Sequence, residues 1–532
     1  MKRWLLVSAA MVLSAGAAQA DYTLHVLHIN DFHSRIEPIN KYDSTCDAES
    51  QQKNECFGGV ARLAAKINSL RDQLKAEGQN VIVLDAGDQY QGSLFYTTYK
   101  GKDTVEFMNM IGFDAMAVGN HEFDDGPAGL QLLAEGAKFP VVSGNLDLSQ
   151  SPELKGKVGG ALALDVGGQK IGIVSALAMD TPETSSPGDK VIFKDDLESL
   201  KAEVQQLSDE GANKIIALTH EGYKRDQQIA ADVPGIDAVV GGHSHTLLGD
   251  MERAEGPYPT LVKNADGVEV PVVTAYAYSK YLGHLVLTWD DKGKLVKAEG
   301  APILLDASVV PDERVAARVK EMAAPIEALK QKRVAEIEAP IDGDRSNCRK
   351  RECEMGNVVT DAMLDRVKDQ GISIAIENGG GLRASLQAGQ VTMGDVLAVL
   401  PFQNTLSTFQ LSGADVVKAL ENGASQYDEG AGRFAQVAGL KYTVDPKAEP
   451  GKRISDVLVQ DGADWKPIDG TAVYGVVSNN YMRSGGDGYK IFATNATAAY
   501  DFGPDLADVL AAYLAKQKPG FVPKLEGRIT VK

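Results

Sequence analysis

The chain has 532 residues, a formal net charge of −19 and 44 % hydrophobic residues. So acidic a chain is a poor candidate for a non-specific binder of nucleic-acid polymers. Its length exceeds one ordinary core, so two large domains are expected.

Lys2 and Arg3 precede an apolar stretch from Trp4 to Ala18, and Ala18-Gln19-Ala20 closes it. A charged n-region, an h-region and an A-x-A site make residues 1–20 a secretory signal peptide. The stretch is short for a membrane span, no cysteine lies near the cleavage point, and no later segment reaches about 18 continuous apolar residues. No stable membrane anchor is expected. The predicted location is the periplasm, with release to the medium as the lesser option.

From residue 21 to about 310, apolar β-like runs alternate with helix-like stretches. The runs are 24–29, 81–84, 115–118, 141–142, 171–176, 215–218, 238–240 and 272–275, and the helices include 60–77 and 196–210. This is the pattern of a layered α/β domain with buried strands. Active sites in such folds lie in loops beyond the carboxyl ends of strands. Five ligand-like clusters fall at such places: Asp31-Phe32-His33, Gly87-Asp88, Gly119-Asn120-His121, His220 and Gly242-His243-Ser244-His245. One such cluster means little; five in order describe a site for two divalent ions and a phosphate ester.

In an extended Asp31-Phe32-His33, the first and third residues project to one side and can share an ion, and His243 and His245 stand in the same relation. Asp88, a carboxylate with two oxygens, is the expected bridge between ions, and Asn120 offers a carbonyl oxygen. Two divalent ions against Asp31 and Asp88 leave roughly +2, which attracts a phosphate dianion to an acidic protein. Mixed nitrogen and oxygen ligands suit zinc, manganese or cobalt, with magnesium as a further candidate. His121 and Asp124, three apart, can meet, and a histidine so held can assist at the phosphoryl group. Asp85 and Glu122 are read as structural, and His25, His28 and His284 lack partners at ligand spacing.

Residues 311–340 read as a linker helix, the helical pattern itself running over 312–337, and 341–532 as a second α/β unit with Gly-rich turns at Gly379-Gly380-Gly381 and Gly485-Gly486-Asp487-Gly488. The four cysteines form close pairs, Cys46/Cys56 and Cys348/Cys353. In an oxidising compartment these are read as two local disulfides, with a four-cysteine zinc site as the alternative.

The segments Gly87–Gly92, Gly119–Asp124 and Gly241–His245 resemble the 5′-nucleotidase family of dimetal phosphoesterases, and the likeness extends over nearly the whole mature chain. The resemblance implies a calcineurin-like metallophosphoesterase layered sandwich followed by a 5′-nucleotidase C-terminal domain. It implies one metal on Asp31, His33, Asp88 and His245, and the other on Asp88, Asn120, His220 and His243. Position 245 is often Gln or Asn in such proteins, so metal preference is expected to differ here. In the second unit, Arg349 resembles a phosphate-binding arginine on a disulfide loop, and Asn378 and Arg383 resemble substrate-loop contacts. Phe402 and Tyr481 stand where two aromatics sandwich a base, with Phe frequent at the place of Tyr481, and Asp487 stands where a carboxylate holds ribose hydroxyls.

The expected activity is hydrolysis of nucleoside 5′-phosphates to nucleoside and phosphate, with di- and triphosphates or UDP-sugars as further substrates. The rivals are a 2′,3′-cyclic nucleotide 2′-phosphodiesterase with 3′-nucleotidase activity, a silent nucleotide-binding protein, and a thiosulfate-ester hydrolase. Nothing in the sequence indicates an oligomeric state.

Overall fold

The computed structural model describes residues 21–532 apart from 41, 42, 44, 45, 47, 180, 253, 401, 403, 429, 502, 519 and 520, and the segment 1–20 that is read above as a signal peptide lies outside the described residues. The first unit is a sandwich of two six-stranded sheets. One has the order Leu295–Leu304, Tyr281–Trp289, Tyr22–Ile29, Asn80–Asp85, Ala115–Ala117, Val141–Val142, and the other Thr260–Lys263, Glu269–Val273, Ala238–Val240, Ile215–Leu218, Gln169–Val174, Leu162–Val166. Between the sheets lies a core of Leu24, Val26, Ile82 and Leu84 from one side and Ile171, Ile216, Leu218 and Val240 from the other. Helices Val60–Ala76 and Lys102–Ile111 cover the outer face of the first sheet, and Asp196–Asp209 and Tyr223–Asp232 that of the second. Both faces of each central strand are therefore buried, which is why these strands read as continuous apolar runs rather than alternating ones.

The central pairings are parallel: Tyr22–Ile29 with Asn80–Asp85, the latter with Ala115–Ala117, and Ile215–Leu218 with both Gln169–Val174 and Ala238–Val240. Parallel strands bring their carboxyl ends to one edge, and the two sheets present that edge together.

Helix Glu313–Lys330, capped by the Asp312 side chain on the Val315 amide, joins the units. It packs on Val60–Ala76 and Leu94–Tyr99 of the first unit and Met393–Val399 of the second. The helical pattern through residue 337 is cut short: Arg333–Ile337 is a strand paired antiparallel with Gly389–Thr392. Sheet pairing overrides local helix preference there. The second unit has a five-stranded sheet of order Ala435–Ala438, Ile374–Asn378, Val473–Asn479, Leu406–Ser412, Thr497–Tyr500 and a four-stranded sheet running from Asp464–Pro467 to Ile529–Val531. Helices Glu354–Val367 and Leu506–Ala515 pack on the larger sheet. Both disulfides, Cys46–Cys56 and Cys348–Cys353, are formed, which removes the four-cysteine zinc alternative. Among the described residues no helix is long and apolar enough to cross a membrane.

Candidate active site

The loops after four strands knit together at the shared edge. Asp31 N donates to Gly87 O at 2.9 Å, His33 N to Asp88 O at 3.0 Å, and Tyr278 N to Asp31 O at 2.8 Å. Glu122 is the fastening: its carboxylate accepts the amides of Asp88 (3.0 Å), Gln89 (2.8 Å) and Gly119 (2.7 Å), tying the Asp88 loop to the Asn120 loop. Asp85 accepts the Gly87 amide and the Gln89 side chain. Both residues thus have the structural character read for them. Gly87 has φ +93, and a Cβ there would stand 2.8 Å from Gly119 N and 2.9 Å from His220 Nδ1. Only glycine lets the backbone pass so close.

Asp31 and His33 do converge, but not as an extended strand: φ is 51° and 50°, in the left-handed region. The expectation for His243 and His245 is also corrected. Both have positive φ, and they diverge to different partners. His245 Nε2 lies 2.9 Å from His33 Nε2 and 3.4 Å from Asp31 Oδ1, whereas His243 Nδ1 lies 2.9 Å from Asn120 Oδ1. Hydrogen bonds between loops set these angles, and a two-residue spacing cannot show them.

Three groups of donor atoms result, each compact enough to hold an ion: Asp31, His33 and His245; His33, Asp88 and His121; Asp88, His220 and His243. Asp88 belongs to two of them. Its Oδ2 is 3.1 Å from His220 Nε2 and 3.8 Å from His33 Nε2, while Oδ1 accepts the His121 amide at 2.9 Å. The His220 ring faces the Ala86 carbonyl with Nδ1 at 2.7 Å, so Nδ1–H donates there. That leaves Nε2 aimed at Asp88 Oδ2 and, at 3.2 Å, at Asn120 Oδ1. Nε2, a carboxylate oxygen and a carbonyl oxygen converge: protonated, Nε2 donates to Asp88, and unprotonated, all three atoms are acceptors facing one point, an arrangement that suits a cation.

With no ion bound, a proton on His220 supplies the positive charge at this point. Burial disfavours charge on His220, yet Asp88 outweighs it and pushes the group up to about 10. Burial and then His245 push His33 down to about 3. Burial alone would raise Asp31 and Asp88, but surrounding histidines, His245 for Asp31 and His220 for Asp88, hold both below the usual carboxylate range. Asn120 Nδ2 is buried with no hydrogen-bond partner among the described residues, as expected when the amide is oriented by something on its oxygen side. The donor set therefore fits divalent ions.

His121 Nδ1 meets Asp124 Oδ2 at 2.7 Å, and Ser185 Oγ donates to the other Asp124 oxygen at 2.9 Å. Burial opposes charge on His121, but Asp124 and Asp88 together raise it to about 9. Its Nε2 is directed to the cluster, 4.0 Å from Asp88 Oδ2. Sequence reasoning missed Tyr278, whose ring packs 5.2 Å from His245 and 5.7 Å from His33 and lies 5.0 Å under the Arg35 guanidinium. The signal that could have found it is its place just beyond the strand predicted at 272–275.

His25, His28 and His284 stay outside the cluster. They are not without partners: His25 Nδ1 lies 2.9 Å from His284 Nε2, and His28 Nε2 lies 2.8 Å from the Tyr258 hydroxyl.

In the second unit, Asn378, Tyr481 and Asp487 come together. Asn378 Nδ2 donates to Asp487 Oδ2 at 2.7 Å, and the Tyr481 hydroxyl to Asp487 Oδ1 at 3.0 Å. The Arg383 guanidinium lies 5.4 Å over the Phe402 ring. Arg349 follows Cys348 in the disulfide turn, which Gln436 clamps through the Cys348 and Arg351 carbonyls. A Cβ on Gly379 would stand 2.3 Å from Cys348 O and 3.4 Å from the Arg349 Cα, so the glycine turn packs directly on the disulfide turn. The strand Thr497–Tyr500 of the second unit contacts Thr181–Thr184 of the first, and Asp124 is among the causes that raise the Tyr500 phenol, after burial.

Residues 24–247 match the calcineurin-like phosphoesterase model, and residues 332–494 the model of the 5′-nucleotidase C-terminal domain. The 5′-nucleotidase of Diplobatis ommata is 38 % identical over 98 % of this chain and 92 % of its own length, and that of Homo sapiens 37 % over 98 % and 94 %. Among solved structures, the 5′-nucleotidase precursor of Thermus thermophilus is 40 % identical, covers 96 % of this chain and 99 % of its own, and superposes with a TM-score of 0.63. The NAD nucleotidase of Haemophilus influenzae, 27 % identical over 97 % and 100 %, superposes with a TM-score of 0.75. The donor groups, the two unit types in this order and the end-to-end identity agree, and the chain belongs to the 5′-nucleotidase family of metal-dependent phosphoric monoester hydrolases.

Proposed function

We propose that this protein is an exported 5′-nucleotidase that hydrolyses nucleoside 5′-monophosphates to nucleoside and phosphate. The observation that carries the reading is the convergence of three donor groups, two of which share the buried Asp88, with the His121–Asp124 pair beside them. Asp31, His33, Asp88 and His245 would hold one divalent ion, and Asp88, Asn120, His220 and His243 the other. Zinc, manganese or cobalt suits the mixed nitrogen and oxygen donors best, and magnesium is a weaker fit. When bound, such ions supply Lewis-acid charge and lower the pKa of water.

The remaining work falls to side chains. His121, kept protonated by Asp124, donates from Nε2 to a phosphoryl oxygen as charge grows on it. The Asp124 carboxylate holds the ring's Nδ1–H and so fixes which nitrogen faces the substrate. Arg349 and Arg383 offer planar donors for phosphate oxygens. Phe402 and Tyr481 offer faces for a base, and Asp487 offers acceptors for ribose hydroxyls.

The two groups of residues lie in different units, so they must meet over one substrate. Helix Glu313–Lys330, which joins the units, is where a hinge would lie. Export to an oxidising compartment such as the periplasm is supported by two formed disulfides and by the leader-like segment 1–20. Use in nucleotide salvage follows from the products.

The test is phosphate release by chelated protein with single metals added back. Activity on AMP with none on 3′-AMP or 2′,3′-cyclic AMP supports the reading; preference for either of the latter sinks it. Binding of AMP with metal but no phosphate release would indicate a silent binder. The likeness to a NAD nucleotidase favours a wider reading in which phosphoanhydrides are also cut. ADP, UDP-glucose and NAD in the same assay decide that.

A further inference from the structure

Asp487 sits in the left-handed region at φ 51°, between Gly486 and Gly488. Both of its carboxylate oxygens have a donor: Asn378 Nδ2 on Oδ2 at 2.7 Å, and the Tyr481 hydroxyl on Oδ1 at 3.0 Å. The Asp487 amide donates back to the same phenolic oxygen at 3.1 Å, closing a ring of two hydrogen bonds between the residues. The Tyr481 ring lies against the backbone of Gly486, where a Cβ would stand 2.5 Å from its Cε2. The side chain is nonetheless 45 % exposed, so one face remains open.

Behind Asn378 the support continues. Asn479 Nδ2 lies 2.9 Å from Asn378 Oδ1 and 2.9 and 3.0 Å from the two oxygens of the fully buried Glu377. The line Glu377, Asn479, Asn378, Asp487, Tyr481 thus runs from the core to the surface and ends on the tyrosine hydroxyl.

A carboxylate has about four lone-pair sites, two on each oxygen. Asn378 and Tyr481 take one on each and leave one on each. Two acceptors side by side match the two adjacent hydroxyls of a ribose. The terminal torsion of an aspartate is broad when nothing restrains it. Donors on opposite oxygens remove that freedom before substrate arrives, and ordering done in advance is not charged against binding.

We propose that the Tyr481 hydroxyl is a specificity-determining positioning group, which orients the Asp487 carboxylate for the cis-diol of a ribose and so selects ribonucleotides over nucleotides lacking those hydroxyls. This rests on the reading of the protein as a 5′-nucleotidase with Asp487 at the sugar. Tyr481 then serves twice, its ring as a face for the base and its hydroxyl as the brace on the sugar contact. A phenylalanine at this position keeps the first role and loses the second.

The test uses the full mature chain with metals present, in wild type, Tyr481→Phe, Asp487→Asn and the double variant. Phosphate release is measured from AMP and from 2′,3′-dideoxy-AMP, and thermal melts check folding. The expected result for Tyr481→Phe is a fall of about 3- to 10-fold in the ratio of kcat/KM for AMP to that for the dideoxy substrate, carried mainly by KM for AMP. Because the hydroxyl acts through the carboxylate, the double variant should show no further fall in that ratio beyond Asp487→Asn alone. If Asp487→Asn collapses the ratio while Tyr481→Phe leaves it intact, the brace is wrong and the sugar reading stands. Equal losses on both substrates in Tyr481→Phe also overturn the brace, since only the ring face would then matter. A ratio unmoved by Asp487→Asn overturns the sugar reading itself.

Discussion

The histidine cluster of the first unit and the asparagine-aspartate network of the second are built on opposite plans. In the first, the atoms meet around positive charge: His220 Nε2 faces Asp88 Oδ2 and Asn120 Oδ1, and a proton held by Asp88, or a cation in its place, is what joins them. In the second, the acceptors meet donors: Asp487 holds Asn378 and Tyr481, and Asn479 braces Asn378. One region needs positive charge at its centre. The other pairs its own donors and acceptors and leaves one acceptor site on each Asp487 oxygen. On the proposed function, the difference separates a place where charge is handled from a place where identity is read.

Breaking the first region should have the larger effect. Asp88→Ala removes the carboxylate that two donor groups share, and phosphate release from AMP should fall about a thousandfold or more. Bound metal, measured by elemental analysis of the purified protein, should fall with it. An Asp88→Ala protein that keeps full metal content and rate would end the assignment.

His121→Ala leaves the donor groups on Asp31 and His220 in place but deletes the proton donor. Turnover should drop about 10²–10⁴-fold with KM for AMP changed little. Elemental analysis beside steady-state kinetics distinguishes this from Asp88→Ala, because metal content should be retained in His121→Ala.

The second region should respond in KM instead. Phe402→Ala removes a stacking face, and KM for AMP should rise about 5- to 100-fold while kcat is less affected. A loss confined to kcat would contradict the division between the two regions.

The smallest effect should come from a histidine pair that belongs to neither. Burial lowers both His25 and His284, the latter to about 4. The folded state therefore binds fewer protons than the unfolded chain below the ordinary histidine value. Stability from this pair is present above about pH 6.5 and is lost as the pH falls toward 4. Melting temperatures across that range should decline more steeply in wild type than in His284→Gln, with AMP turnover at neutral pH unchanged between them. Parallel curves would rule the pair out as an acid-sensitive element.

Much of the first region was legible because its rule is local. Buried parallel strands are continuous apolar runs, their ends are readable, and the residues just beyond them, such as Asp31, Asp88, Asn120 and His220, are where a site must form. The bend at Asp31 and His33 was not legible, since it depends on amides reaching the carbonyls of Gly87 and Asp88 from another loop. The hairpin Tyr281–Trp289 and Leu295–Leu304 carried no motif, yet it brings His284 to His25 by pairing with Tyr22–Ile29. The end of the linker helix was misread because the pairing of Arg333–Ile337 with Gly389–Thr392 is a contact between distant segments.

The second region was legible chiefly through resemblance. A lone Asn378, Tyr481 or Asp487 carries no periodic signal, and the bond that joins Asn378 to Asp487 crosses more than a hundred residues. By itself, the sequence determined the layered class, the strand ends and the types of atom offered at each of them, because those follow from burial patterns and side-chain chemistry within a few residues. Only the tertiary structure decided the left-handed bends at Asp31 and His33, the distances between each histidine and its carboxylate, and that Asn378 reaches Asp487. Those choices depend on hydrogen bonds between loops, whose partners are chosen by sheet packing and not by neighbours in the chain.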